Sequence, residues 1–140
     1  MKILLAVDGS SYTQKMLAYL STHQELFGPN NEYTVLTVQP PLPPRARAAV
    51  GKEIVDSYYA DETEKVMAPV AQFLAQHQLV VKSEWKVGHA GETITSFADD
   101  GGFDLLVMGS HGHGSFGSLV MGSVTAQVLS RSKVPVLLVR

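Results

Sequence analysis

Apolar residues recur along this chain in two rhythms. Ile3 to Val7, Tyr33 to Val38, Phe103 to Met108 and Val134 to Val139 are short runs dominated by apolar residues, many of them branched. Such runs predict strands, and Ile3 to Val7, apolar throughout, a central one covered on both faces of a sheet. Between them the spacing becomes helical. Tyr12, Met16, Leu17 and Leu20 follow Ser11, which has capping-box spacing with Gln14. A long helical pattern extends from near Lys52 to Gln78, with Pro69 expected to kink or break it. Shorter helices are expected from about Glu92 to Asp99, before Gly101 and Gly102, and from about Leu119 to Ser130.

One segment alternates instead. From Val80 to Val87, Val81, Ser83, Trp85 and Val87 fall on one side, and Lys82, Glu84 and Lys86 on the other. That pattern predicts a strand near a sheet edge with one wet face, and Trp85 as a packing residue on its covered face. Gly28, Pro29, Asn30 and Asn31 make a turn. Prolines 40, 41, 43 and 44 predict an irregular loop carrying Arg45 and Arg47. The resulting order, βαβαβαβαβ, calls for one α/β domain over residues 1–140, an open five-stranded parallel sheet with helices on both faces, Rossmann-like. In such folds ligands sit beyond the carboxyl ends of the strands. Asp8, Val38 and Gly109 all leave strands at that rim.

Composition narrows the function. The net charge is −2, and Lys and Arg are absent from Val87 to Ser130. A nucleic-acid partner, which needs a basic patch, is not expected. With no cysteine, thiol chemistry and cysteine metal sites are excluded. Asp8 cuts the first apolar run too short for a signal peptide, and no run is long enough for a membrane span. A cytoplasmic protein is the simplest expectation.

The chemistry concentrates at residues 109 to 123. Gly109, Gly112, Gly114, Gly117 and Gly122 lie between a strand and a helix, an arrangement that brings backbone N–H groups against phosphate. Gly109 and Gly114 have P-loop spacing, but Ser115 and Phe116 stand where Lys and Ser or Thr are required. Gly112, Gly114 and Gly117 match the dinucleotide fingerprint GxGxxG. They lie late in the chain, however, and no acidic residue follows Asp104 to hold a ribose. Gly109-x2-Gly112-x9-Gly122-Ser123 remains.

That spacing resembles the G-x2-G-x9-G-S/T nucleotide-binding signature of the universal stress protein family. The likeness extends to Ile3–Ser10, Asp104–Gly112, Gly122–Val124 and Val134–Val139, and covers the whole chain. It implies sheet order 3-2-1-4-5 and ATP or a related adenine nucleotide, with Mg²⁺ as an accompanying ion, between strands one and four. By the same resemblance Asp8 and Gly9 hold the ribose or adenine side, and Val38 lines the adenine pocket. Gly109 lies by the ribose. Gly112, Gly122 and Ser123 contact phosphate, with Ser110, His111, His113, Gly114 and Val124 completing the loop and helix start. A homodimer through Val134 to Val139 is also implied, and it would cover an apolar edge strand carrying Pro135.

Simpler roles stand beside these. Asp8 can order the first turn, the glycines can serve tight turns, and Ser123 can cap a helix. His111 and His113 lack a nearby third ligand, so a metal site is not expected. Met16, Met67, Met108 and Met121 read as core filling. Where the family commonly has Arg after the second loop glycine, this chain has His113. Phosphate affinity then rests on backbone N–H groups, Ser123, Mg²⁺ and protonated imidazole, or on Arg45 and Arg47. Without a cationic clamp the sequence favours a binding module, a sensor or switch, over catalysis. Slow ATP turnover on the same site, and a dimeric interaction role, remain the alternatives.

Overall fold

The computed structural model describes residues 1–113 and 121–140. Five strands, β1 (Lys2–Ala6), β2 (Glu32–Gln39), β3 (Val81–Val87), β4 (Leu105–Gly109) and β5 (Val136–Val139), form one parallel sheet in the order β3-β2-β1-β4-β5. The helices are α1 (Ser11–Thr22), α2 (Pro44–Val50), α3 (Lys52–Gln76), α4 (Ala90–Asp100) and α5 (Ser123–Arg131).

The sheet is buried on both faces because alternate residues of the central strands enter different cores. Ile3, Leu5 and Val7 join Tyr33, Val35 and Val107 beneath α1 and α3. Leu4 and Ala6 join Leu36, Leu106 and Met108 beneath α4 and α5. Ile3, Leu4 and Leu5 are each 0% exposed, so each side chain contributes about 1.5–3 kcal/mol by burial. Among the described residues no helix is long and apolar enough to cross a membrane.

Several expectations are corrected. The proline segment is not irregular throughout: Pro44 is the first residue of α2, where a missing N–H costs nothing. Gly51, at φ +86°, ends α2 and lets α3 begin at once. Pro69 does not break α3, since it lies on the exposed side where water replaces the lost bond. The Ser11–Gln14 capping box does not form. Ser10 holds the N-cap position without a side-chain cap, and Asp8 organises that turn.

The edge position of β3 is as expected, but its covered face is not. Only Val81 packs against the core beneath α3, whereas Trp85 is 42% exposed. Met121 is exposed too, unlike Met16, Met67 and Met108. β5 is shorter than the apolar run suggested. Pro135 stays outside it, offering its carbonyl to the Leu106 N–H at 2.9 Å.

Candidate functional site

β1 delivers Asp8 to the rim. One carboxylate oxygen, Oδ1, accepts the Ser10 N–H at 2.9 Å and the Thr13 hydroxyl at 3.0 Å. The Asp8 N–H donates to the same Thr13 oxygen at 3.1 Å. Asp8 therefore does order the first turn. Its other oxygen, Oδ2, lies beside Gly112, where an added Cβ would come within 2.6 Å. Gly9, at φ +77°, sits against Val66 of α3 instead of lining the cleft.

β4 delivers Gly109, which approaches α1 so closely that a Cβ would stand 2.7 Å from that of Tyr12. The next residue, Ser110, is 2% exposed and anchors the backbone rather than the cleft wall. Its N–H donates to Val139 and its carbonyl accepts the Gly122 N–H, both at 2.8 Å. The Ser110 hydroxyl lies 2.8 Å from His111 Nδ1, and the His111 ring sits 4.8 Å from that of Tyr12. His113 Nε2 donates to the Asp8 carbonyl at 2.7 Å, linking the β4 loop to the end of β1.

α5 closes the third side. Gly122 is its N-cap and Ser123 its first helical residue, so Ser123 does not itself cap the helix. First-turn N–H groups have no acceptor within a helix and give its start a partial positive charge. Thr125 fastens this helix to β4 through a 3.2 Å bond from its hydroxyl to the Gly109 carbonyl.

These elements enclose a cleft of about 250 Å³. Nine of the expected residues line it: Asp8, Val38, Gly109, His111, Gly112, His113, Gly122, Ser123 and Val124. Gly9 and Ser110 are not on its wall, and Gly114 lies outside the described residues. Thr13, Thr125, Ala90, Ile94, Ala6, Val7 and Met108 also line it and were not expected. Two of those had a readable signal, since Thr13 stands one turn into a helix after Asp8 and Thr125 two residues past Ser123. Ala90 and Ile94 carried none, because α4 reaches the cleft only through tertiary packing.

Val38, Ala90, Ile94 and Met108 make one part of the wall apolar, while Asp8, Gly112 and the start of α5 make another polar. Among the described lining residues Asp8 is the sole acid, and there is no Lys or Arg. Arg45 and Arg47 lie on α2 and are not part of the wall. No group of three or more metal-ligating side chains occurs among the described residues.

The universal stress protein family model matches residues 1–140. The chain belongs to the universal stress protein family. It is 36% identical over 139 residues to universal stress protein Slr1230 of Synechocystis sp., covering 99% of this chain and 42% of that protein. Over 80 residues it is 35% identical to universal stress protein MJ0577 of Methanocaldococcus jannaschii, covering 57% of this chain and 49% of that one. The chain thus aligns with less than half the length of either relative. The solved structure of MJ0577 superposes with a TM-score of 0.78 at 28% identity, covering 99% of this chain and 94% of the other.

Two further family structures share the fold. One, in complex with cAMP, has a TM-score of 0.63 at 24% identity, covering 100% of this chain and 97% of that one. The other, from Arabidopsis thaliana with AMP bound, has a TM-score of 0.69 at 14% identity, covering 99% and 90%.

Proposed function

We propose that this cleft binds an adenine nucleotide and that the protein is a nucleotide-responsive sensor or switch in the stress response. One observation carries the reading: Gly109, Gly112, Gly122 and Ser123, spaced as in the family signature, meet Asp8 and Val38 around a single cleft. Family members in complex with AMP and cAMP support the choice of ligand.

In this reading the base lies against Val38 and the apolar wall, and Asp8 Oδ2 accepts from a ribose hydroxyl. Gly109 gives room for the ribose. Gly112 and Gly122 leave room for phosphate beside the start of α5, whose first free N–H groups receive it, with the Ser123 hydroxyl as one more donor. The dipole at the start of α5 favours an anion by about 0.3–2 kcal/mol. ATP fits the role if Mg²⁺ accompanies it. That ion would be held by the phosphate oxygens and waters, since Asp8 is given to the ribose.

Binding is favoured over hydrolysis because phosphoryl transfer is speeded by a cationic side chain clamping the transferred group, and the described wall supplies no Lys or Arg for it. We also assign β5 as a homodimer contact. Among the described residues it pairs with β4 alone, and Val136, Leu137 and Leu138 remain partly exposed.

Calorimetric titration with AMP, ADP, ATP, cAMP and GMP tests the site. Saturable binding of at least one adenine nucleotide, with GMP markedly weaker, is expected. No binding by any of them would remove the reading, and rapid ADP release from ATP would replace it with an enzyme. Sedimentation showing a stable monomer at micromolar concentration would remove the β5 dimer.

A further inference from the structure

At the opposite end of the sheet, β3 leaves an edge open. Among the described residues it pairs with β2 alone, in unbroken register from Val81 to Val87, and Lys82 to Val87 are all exposed. Such an edge presents unpaired N–H and C=O groups able to accept another strand. Proteins commonly guard edges with lysine. Here Lys82 and Lys86 flank Glu84, and none of the three has an ion-pair partner among the described residues.

The β2 register sets the two faces. Lys82, Glu84 and Lys86 stand beside Thr34, Leu36 and Val38 on the α4 side, where Lys86 Nζ lies 6.0 Å from the Phe97 ring centre. Ser83, Trp85 and Val87 share the α3 side, with Trp85 and Val87 at 42% and 41% exposure. The edge therefore carries alternating charge on one face and uncovered apolar side chains on the other.

We infer that β3 is a self-pairing edge, to which a second copy of this chain adds its own β3, antiparallel, about a twofold axis at Trp85. In an antiparallel pair, directly opposite side chains lie on the same face. Charge and burial decide the register. With Glu84 on the axis, Glu84 meets Glu84 and Lys82 meets Lys86, so like charges face each other. With Ser83 on the axis, Lys82 meets Glu84 but Val87 falls opposite Leu79, outside β3. With Trp85 on the axis, Glu84 meets Lys86 twice, Trp85 meets Trp85, and Ser83 meets Val87. Only this last register matches the charges and gathers both exposed apolar side chains into the contact.

The contact is isologous and independent of the nucleotide reading. Because β5 lies at the opposite edge, pairing at both edges would link molecules into an open row unless the geometry closes.

The chain has no cysteine and one tryptophan, so both serve as reporters of this edge. Trp85→Cys should form an intermolecular disulfide under mild oxidation, whereas Ser83→Cys should not. As concentration rises, Trp85 emission should shift to the blue. Lys86→Glu should move the midpoint of that shift at least tenfold higher, and Glu84→Lys combined with Lys86→Glu should restore it. Circular dichroism confirms that each variant, altered only at exposed positions, is folded. Cross-linking by Ser83→Cys in place of Trp85→Cys overturns the register. An emission that is independent of concentration, or a charge swap that fails to restore association, overturns the interface.

Discussion

Replacing Asp8 with Asn separates the turn this residue organises from the ligand contact assigned to it. Asn can keep an acceptor where Oδ1 receives the Ser10 N–H and the Thr13 hydroxyl, and it places an uncharged NH₂ where Oδ2 faces Gly112. A hydrogen bond to a charged acceptor is worth about 1.5–3 kcal/mol, and to a neutral one about 0.5–1.5. Asp8 is half-buried, so the two weakened bonds together should cost about 1–2 kcal/mol. At about 2.1 cal/mol/K per residue, a chain of 140 residues has an unfolding entropy of about 0.3 kcal/mol/K. The melting temperature should therefore fall by about 3–7 °C. Losing the charge-assisted bond to the ribose should also weaken AMP binding by about tenfold or more. Differential scanning calorimetry and isothermal titration read the two effects separately. A lowered melting temperature with AMP affinity unchanged within about twofold would assign Asp8 to the turn alone and refute its ligand role.

Other outcomes follow from the same geometry. Gly109→Ala should cost about 1–3 kcal/mol in chemical denaturation, because its Cβ meets Tyr12, including backbone atoms at 3.3 Å. Gly112→Ala, whose Cβ meets the Asp8 carboxylate at 2.6 Å, should reduce nucleotide affinity more than stability; the reverse order would contradict the site. Burial holds the Tyr33 hydroxyl above its ordinary pKa, partly offset by the Asn31 hydrogen bond. Its contribution is thus fully present below about pH 10 and lost as pH rises through the higher folded value. Alkaline melting curves of Tyr33→Phe should accordingly fall less steeply above pH 10 than those of the natural chain.

Much of this architecture was legible because local and tertiary forces agree. The apolar runs of β1 and β4 marked them as strands, and the charge alternation of β3 placed it at an edge. The glycine spacing in the β4–α5 connection identified much of the cleft wall. What escaped was tertiary in origin. Nothing in the pattern of Ser83, Trp85 and Val87 reveals that the core beneath α3 reaches β3 only at Val81. Proline density concealed α2, since the same residue that forbids a helix interior is welcome at its first position. Gly9 and Ser110 belong to the motif segments, but backbone geometry turns them toward α3 and into the anchoring of β5. Ala90 and Ile94 reach the cleft only because α4 packs beside β2.

The central claim, an adenine-nucleotide site between β1 and β4, is tested most directly by amide NMR during titration with AMP and ATP. The largest shifts should fall on Asp8, Gly109, Gly112, Ser123 and Val124, with ATP moving the start of α5 more than AMP does. Shifts confined to other surfaces, or none at saturating nucleotide, would contradict it.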